Sequence, residues 1–244
     1  MAILKLRLTG RKEIARDTFA FYFQKPPSFN FRAGQFVHLS LIRPPKRDTE
    51  GETRAFSIAS APHEDELMFA TRARDTAFKQ IFTSMPIGTR VRIIGPLGSL
   101  TLQSNQSRPV VLIAGGIGIT PFRSIIVDAS QKSLPSRIIL FYSNRRPEDA
   151  AFLEELRELE HQYPKFTLIS TMTQTEKAAQ HWQGKTGYFT TEFLAESIGN
   201  VTRPIHYVAG PPGMVRATRR LLDGAGVKHG DIRTEEFDGY ANGR

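Results

Sequence analysis

The stretch PVVLIAGGIGITPF, residues 109–122, decides how the second half of the chain folds. Its apolar beginning predicts a buried strand, the glycines predict a tight turn, and the proline predicts the start of a helix. Backbone amides at such a turn and helix N-terminus favour an anion, typically a phosphate. The residues expected to form this site are Gly115, Gly116, Gly118, Thr120 at the helix N-cap and Pro121 as the first helical residue. The spacing is G-x-G-x-x-P instead of the dinucleotide fingerprint G-x-G-x-x-G, so a plain start of a helix stays open as an alternative.

Outward from this stretch, the pattern of a strand followed by a helix repeats. Further strands are predicted at 137–143, 166–173 and 205–210, and helices at 121–132, 147–162 and 212–226. Alternation of this kind is typical of a parallel, doubly wound α/β sheet. In such a sheet the loops that follow the strands gather at the carboxyl ends of the strands, where ligands bind.

The loop YVAGPPGMV (207–215) is therefore a second candidate binding element. Its candidate residues are Gly210, Pro211 and Met214. The alternative is an ordinary turn that two prolines end.

The loop YSNRRPED (142–149) is a third candidate, with Ser143, Arg145 and Arg146. It follows the next strand, where the adenosine ribose of a dinucleotide is commonly read, and arginines there would suit a 2′-phosphate. The alternative is that both arginines are solvent-facing partners of Glu148 or Asp149.

The first half of the chain has a different pattern, in which short alternating or apolar runs are separated by Gly and Pro clusters. Strands are predicted at 3–8, 18–23, 35–41, 55–60, 66–72 and 90–94, and a short helix at 76–85 after an Asp75 cap. This half is expected to be an antiparallel barrel or sandwich. The polar segment QSNQSRP (103–109) predicts the joint between two domains, 1–104 and 105–244.

The stretch RAFSIAS (54–60) lies in the first half and combines a cation, a ring and a hydroxyl. Arg54 can neutralise a phosphate, Phe56 offers a ring face, and Ser57 can donate or accept a hydrogen bond. An ordinary amphipathic strand is the alternative. On a regular strand Arg54 and Phe56 face one side and Ser57 the other, so one ligand can touch all three only if the strand twists or ends there.

Composition excludes several classes of function. The absence of cysteine excludes disulfides, a cysteine nucleophile, thiolate zinc sites and an iron–sulfur cluster held by this chain's own thiolates. The six histidines show no close metal-type spacing. No apolar run is long enough to span a membrane and no secretory signal is visible, so a cytoplasmic protein is expected.

The chain is basic, with a formal net charge of +9. Its short clusters RPPKR (43–47) and RATRR (216–220) lack the interleaved aromatic residues that stack on bases, which argues against nucleic acid. Acidic proteins or phosphate-rich small ligands remain as partners for the excess of positive charge.

Four motifs in a fixed order resemble the ferredoxin–NADP⁺ reductase superfamily. They are R-x-F-S-x-x-S from Arg54, GPLG (95–98), AGGIGITP (114–121) and AGPPGM (209–214), and the resemblance covers essentially the whole chain. It implies an N-terminal antiparallel flavin-binding β-barrel followed by a doubly wound parallel α/β NAD(P)-binding domain. It also implies a flavin-dependent oxidoreductase that takes a hydride from NAD(P)H onto FAD, with NADP favoured over NAD because of the arginines after residue 143.

The resemblance also implies roles for individual residues. Arg54 would hold the flavin phosphate, Phe56 (usually Tyr) would pack on the isoalloxazine, and Ser57 would hydrogen-bond near flavin N5. Glu236 and Phe237 would lie near the exposed face of the flavin, with Ser57, Phe56 and Glu236 closest to the chemistry. The remaining implied flavin contacts are Ala55, Thr71, Arg72, Thr76, Ala77, Phe78 and Lys79. The segment 71–80 lacks the glycines that the family usually has there, so a helix N-terminus and Lys79 would have to replace them.

The implied partner is a separate electron acceptor, since this chain has no thiolates for an iron–sulfur cluster. An acidic ferredoxin or flavodoxin suits the positive net charge, and the reductase is expected to be a monomer. Three alternatives stay open: a reductase component of an oxygenase, a reductase of small acceptors such as ferric complexes or quinones, and a non-catalytic flavin-containing subunit that binds a partner.

Overall fold

The computed structural model describes residues 2–47, 49–103 and 108–237, and its first half is an antiparallel sheet. The elements are β1 (Ala2–Ala15), β2 (Thr18–Gln24), β3 (Phe36–Leu41), β4 (Thr53–Ser57), β5 (Glu66–Arg72), α1 (Ala77–Ser84) and β6 (Arg90–Leu97). The strand order is β4-β3-β6-β1-β2-β5, and all neighbouring strands are antiparallel. The two outer strands approach each other, because Ala59 N–H donates to the Met68 carbonyl (2.8 Å). The predicted antiparallel fold of this half is confirmed.

The inside of this barrel is aromatic and explains why α1 lies where it does. Alternate residues of each strand point inward, as Val91 and Ile93 of β6 do. Phe82 of α1 is fully buried, and its ring lies 4.3 Å from that of Phe21 and 5.1 Å from that of Phe56. Burying one such side chain contributes about 1.5–3 kcal/mol, so α1 closes the barrel through its own apolar face.

The second half is a parallel sheet with helices on both faces. Its elements are β7 (Val110–Gly115), α2 (Ile119–Gln131), β8 (Ile138–Asn144), α3 (Leu153–Gln162), β9 (Phe166–Met172), β10 (Lys185–Thr186), α4 (Thr191–Ile198), β11 (Ile205–Gly210), α5 (Pro212–Gly224) and β12 (Ile232–Glu236). The strand order is β10-β9-β8-β7-β11-β12. The chain winds outward from β7 to β10 and then returns to the other side of β7, which is the doubly wound arrangement that the sequence predicts. The reversal places the ligand crevice between β7 and β11.

The residues of β7 alternate between two cores. Leu112 packs in the core that contains α2 and α3, whereas Ile113 packs in the core that contains α4 and α5. Both side chains are fully buried, as expected for a parallel strand that is covered on both faces. Within the described ranges, no helix combines the length and the apolar character needed to cross a membrane.

Three local expectations differ from the structure. The cap of α1 is Thr76, whose side chain accepts from Lys79 N–H (3.3 Å), and Asp75 lies one residue too early to reach that amide. Pro147 opens only a 3-10 turn, and α3 begins at Leu153 because Ala150 is extended and Phe152 is left-handed (φ 60°). The sequence analysis also did not predict α4.

The two halves meet around one buried arginine. Arg123 of α2 donates to the carbonyl of Ala59, which follows β4 (2.8 Å), and to the carboxylates of Glu64 (2.9 Å) and Glu155 (2.5 Å). Burial works against this charge, but the hydrogen bonds that Arg123 donates to the two carboxylates hold its pKa above the ordinary value. The predicted domain boundary, between residues 104 and 105, lies outside the described residues and stays a prediction.

Candidate functional site

The glycine turn after β7 leads directly into α2. Gly116 has a left-handed backbone (φ 53°), residues Gly116–Gly118 form a 3-10 turn, and α2 begins at Ile119. Thr120 is therefore inside the helix and not at its N-cap, and Pro121 is not the first helical residue. The Thr120 hydroxyl donates to the Ile117 carbonyl (3.0 Å), so it holds the turn together.

The structure brings this turn against the loop after β11. A Cβ atom on Gly118 would lie 2.3 Å from the carbonyl oxygen of Ala209, and one on Gly115 would lie 3.1 Å from Met214 Sδ. Gly210 itself has a φ of 154°, and Pro211 precedes α5. Gly115 and Gly118 are needed because the two loops lie so close together that a side chain at either position would collide with the other loop. Their shared surface lies at the carboxyl ends of β7 and β11, the edge of the sheet where the sequence predicts that ligands bind.

The third loop separates its two arginines. Arg146 Nε lies 2.8 Å from Asp149 Oδ2. For Arg146, this agrees with the alternative in which the arginine is paired with a carboxylate of its own loop. Asp149 is almost fully buried and also binds Arg72 of β5 (2.7 Å), so Arg72 links the two halves. Burial raises the pKa of Asp149, but Arg146 and Arg72 bring it below its ordinary value.

Arg145 is left as the accessible cation of this loop. It is exposed and forms no ion pair with any residue in the described ranges, and Ser143 beside it in sequence is half-buried. Between them, Asn144 is 5% exposed, and neither its amide nitrogen nor its amide oxygen has a hydrogen-bond partner in the described part of the chain. The end of β8 thus offers a cation to a ligand, and the unsatisfied amide of Asn144 lies buried beside it.

In the first half, Arg54 is positioned beside α1. Its guanidinium donates to the carbonyls of Glu50 (3.1 Å) and Gly51 (2.9 Å), pairs with the Glu50 carboxylate, and stacks 4.9 Å from the ring of Phe78. Phe78 is itself buried at the start of α1, directly after Ala77. The arginine is therefore held at the mouth of the barrel, near the helix N-terminus.

Lys79 adds a second cation at this mouth. Its ammonium group donates to the hydroxyl of Thr71 and lies 5.0 Å from the ring centre of Phe56. Burial, followed by repulsion from Arg54 and Arg74, lowers the pKa of Lys79 to about 8. Three cations, Arg54, Arg74 and Lys79, thus gather at the N-terminus of α1. The charge of Glu50 works in the opposite direction and raises the pKa of Lys79. An arrangement in which cations repel one another is expected where an anion binds.

Phe56 does not present an open ring. It is 4% exposed, because β4 keeps its alternation and directs Phe56 into the barrel among Phe69, Phe78 and Phe82. The expected packing of this ring on an isoalloxazine stays a prediction, and in this structure the ring lies inside the barrel. Ala55, its neighbour in β4, is exposed and paired with His38 of β3.

Ser57 ends β4 and faces the second half. Its hydroxyl donates to Oε1 of Glu235 in β12 (3.0 Å), so the hydrogen bond crosses from one half to the other. Burial raises the pKa of the Glu235 carboxyl above its ordinary value, and the hydrogen bond from Ser57 offsets only part of this effect. A buried carboxyl with a raised pKa beside a serine can hold a proton at this junction.

The acid that the structure places at Ser57 is Glu235, one residue before the Glu236 that the resemblance implies near the flavin, and the role of Glu236 stays a prediction. In β12 the two side chains point to opposite faces, and Glu236 lies toward the surface with Arg216 (3.3 Å). Phe237 donates its N–H to the carbonyl of Gly210 (2.9 Å), which ties the end of β12 to the loop after β11. Alternation along the strand predicts that only one glutamate faces Ser57, but the choice needs the orientation of β12.

Comparisons with known proteins identify both halves. The family model of the oxidoreductase FAD-binding domain matches residues 5–102, and that of the oxidoreductase NAD-binding domain matches residues 112–220. The chain belongs to the ferredoxin–NADP⁺ reductase superfamily. The observed sheets and the order of the two domains agree with this family, and FAD and NAD(P) are its cofactors.

Among its relatives in this superfamily are two bacterial reductases. The reductase component of phenol 2-monooxygenase from Pseudomonas sp. strain CF600 is 30% identical over 216 residues, 87% of this chain and 59% of the relative. A ferredoxin–NAD(P)⁺ reductase of Metapseudomonas resinovorans is 28% identical over 211 residues, 85% of this chain and 61% of the relative. The chain therefore spans less than two thirds of the length of either.

Solved structures of the superfamily have the same fold. The ferredoxin–NADP⁺ reductase of Neisseria gonorrhoeae, with bound FAD and NADP, has a TM-score of 0.80 at 22% identity, over 96% of this chain and 98% of that one. The Amycolatopsis cytochrome P450 reductase GcoB has a TM-score of 0.81 at 25% identity, over 96% of this chain and 70% of that one.

Proposed function

We propose that this protein oxidises NAD(P)H through FAD and delivers the electrons to a separate protein acceptor such as ferredoxin or flavodoxin. The observation that carries the proposal is the hydrogen bond from Ser57 to Glu235, because it joins the FAD-binding half to the NAD-binding half at one buried proton-holding pair. Both glycine loops end near this junction, since Phe237 bonds to Gly210.

The residues at the mouth of the barrel fit the phosphates of FAD. Arg54, Arg74 and Lys79 form a positive cluster at the N-terminus of α1, and Thr76 leaves the first amides of that helix directed outward. In this chain the side-chain cations replace the glycines that the family usually has between residues 71 and 80. Bound FAD would accept a hydride and pass its electrons on.

Ser57 and Glu235 would control a proton beside the cofactor. Because the Ser57 hydroxyl donates to Glu235, the lone pairs of its oxygen are left to accept a hydrogen bond from a group on the other side. The buried carboxyl of Glu235 can hold the proton that accompanies electron transfer and return it through the serine. This role belongs to Glu235, and Glu236 contributes only at the surface.

On the dinucleotide side, the turn from Gly116 to Pro121 would hold the NAD(P) pyrophosphate, and the loop from Gly210 to Met214 would lie beside the nicotinamide. Arg145 would contact a 2′-phosphate, since it is exposed and Arg146 is already bound to Asp149. This supports NADPH as the preferred reductant.

The acceptor is proposed to be acidic. The net charge of +9 favours encounter with an acidic ferredoxin or flavodoxin, and the resemblance to oxygenase reductase components favours an oxygenase system as its setting. A monomer in the cytoplasm, where NAD(P)H is supplied, completes the proposal.

An anaerobic spectrum tests this function. The purified, FAD-reconstituted protein should be yellow and should bleach when NADPH is added. A protein that cannot be reconstituted with FAD would contradict the assignment of the first half. A yellow protein that neither NADPH nor NADH bleaches would contradict the assignment of the second.

A further inference from the structure

The outer face of the barrel carries two pairs of facing cations. In the register of β1 and β6, Lys5 lies opposite Arg92 and Arg7 lies opposite Arg90. All four side chains are exposed. We call this surface, defined by Lys5, Arg7, Arg90 and Arg92, the basic face. Like charges directly opposite each other in a sheet are destabilising, so the fold gains nothing from this arrangement.

The strands that carry the basic face have few acids near it. The first part of β1 (Ala2–Thr9), β3 (Phe36–Leu41) and β6 (Arg90–Leu97) contain no Asp or Glu, and the carboxylate of Glu66 approaches only the end of this segment, where it accepts from the Thr9 hydroxyl (2.5 Å). None of the four cations forms an ion pair with any residue in the described ranges. The positive charge is therefore unbalanced at the centre of a sheet, away from its edges.

Exposed aliphatic side chains lie at both ends of the basic face. Ile3, two residues before Lys5 and on the same side of β1, is 67% exposed. Ile87 is 60% exposed and adjoins Gly88, beside which the Arg7 guanidinium lies. These two apolar side chains add contact area at the margins of a face whose centre is charged, so charge complementarity must carry most of the recognition of a partner.

The chain supplies further positive charge near this surface. The loop after β3 contains Arg43 and Lys46, both exposed, and β3 ends where Leu41 pairs with Val91, between Arg90 and Arg92. This loop is the RPPKR cluster, which no part of the FAD or NAD(P) site uses.

We infer that the basic face is the docking surface for the acidic electron acceptor, a protein of the ferredoxin type. The inference rests on the proposed function, and it adds the place where the acceptor binds. Acidic carboxylates would neutralise the facing cations, and Ile3 and Ile87 would make the apolar contacts. The outward residues of β1 and β6 include no aromatic ring for stacking on bases, which disfavours nucleic acid.

A partner on the basic face also reaches the flavin-binding strand. Ala55 of β4 pairs with His38, His38 with Ile94 of β6, and Ile94 with Ile3. These four strands span about 14 Å, at about 4.8 Å between neighbours. An interface of about 800 Å² on each partner is about twice as wide as this span of four strands, so it would cover the flank of β4.

The test is a binding titration with an acidic plant-type [2Fe–2S] ferredoxin as the probe, at low ionic strength, on the FAD-loaded protein. The test variant is K5E/R7E. It turns both like-charged pairs into opposite-charged pairs, so it should fold at least as stably as the unmodified protein. The control variant K165E/R220E makes the same change in net charge at exposed positions of the second half.

We expect K5E/R7E to raise the dissociation constant of ferredoxin about tenfold or more and to lose most of its salt dependence, with an unchanged or higher Tm. NADPH–ferricyanide activity should stay the same, and the control should bind ferredoxin like the unmodified protein. Equal weakening by both variants, or no binding of ferredoxin to the unmodified protein, would overturn the docking surface. Binding of anionic phospholipid vesicles that K5E/R7E abolishes while ferredoxin binding persists would overturn it as well.

Failure of the proposed function would look different. If NADPH does not reduce the flavin, the ferricyanide activity is absent, whereas the ferredoxin titration still reports on the basic face.

Discussion

The FAD-binding half and the NAD-binding half prepare an anion site in different ways. At the mouth of the barrel, side-chain cations lie close together: burial, followed by repulsion from Arg54 and Arg74, lowers the pKa of Lys79 to about 8. At the carboxyl ends of β7 and β11, the site is backbone, and its glycines allow two loops to touch. The first site depends on charge and so on pH and salt, whereas the second depends on shape.

The largest effect of shape is expected at Gly118. In Gly118→Ala the new Cβ would lie 2.3 Å from the Ala209 carbonyl oxygen, so the two loops must separate. We expect the rate of flavin bleaching by NADPH to fall about 100-fold, since a displacement of about 1 Å has that cost. Stopped-flow absorbance measures it.

The matched control is Gly213→Ala, in the second loop, where a Cβ meets no atom within 4 Å. It should bleach at nearly the normal rate. If both variants bleach normally, the close approach of the loops is not what the glycines serve.

The largest effect of charge is expected at Lys79. Lys79→Met keeps the length of the side chain but removes its cation, and we expect the dissociation constant of FAD to rise about tenfold, the value of one charge-assisted contact of about 1.4 kcal/mol. Fluorescence titration of the apoprotein measures it, with Lys165→Met as an exposed control. Unchanged affinity would mean that the phosphates bind elsewhere.

The pH dependence of FAD binding is a second test of the role of the Lys79 charge. A bound phosphate favours charged Lys79, whose pKa is lowered to about 8 without it, so affinity should be level below pH 8 and fall above it. The stability of the apoprotein should move the other way. Because the folded pKa lies below the ordinary 10.5, stability rises as the pH goes from about 8 to about 10.5. Parallel titrations of Lys79→Met should lack both trends.

The smallest effect is expected at Arg145, a charged side chain that lies beside the backbone site of the second half. Arg145→Ala should reduce the preference for NADPH over NADH about fivefold, the loss of an exposed contact to the 2′-phosphate of about 1 kcal/mol. The comparison of kcat/KM for the two reductants measures it. Arg146→Ala should instead lower Tm with little change in preference, because Arg146 binds Asp149; the opposite result would exchange their roles.

The difference between the charged site and the backbone site also explains which features could be predicted from the sequence. The alternating strands and helices and the glycine loops are local patterns, and they predicted both sheets and the gathering of the two glycine loops at the carboxyl ends of the strands. The partners of charged residues are not all local. Arg146 and Asp149 are only three residues apart, and that pairing is one of the alternatives that the sequence offers, whereas Arg72 reaches Asp149 only because the two halves pack there.

Single-residue shifts account for most remaining differences. Along a strand, neighbouring side chains face opposite ways, so the sequence EEF leaves Glu235 and Glu236 equally plausible until β12 is paired with β11. At the helices, Thr120 and Asp75 are residues that can cap, but each misses the N-cap by one or two positions. The inward direction of Phe56 follows from its strand parity, which motif resemblance does not take into account.

The hydrogen bond between Ser57 and Glu235 is the contact that joins the two halves at the proposed site of electron transfer. A double-mutant cycle tests it most directly: Ser57→Ala, Glu235→Gln and the double variant, each FAD-loaded, are mixed anaerobically with NADPH in the stopped-flow instrument. We predict that all three retain FAD and bleach more slowly by the same factor, because the two residues act as one unit. Normal bleaching by both single variants, or losses that multiply in the double variant, would contradict the account.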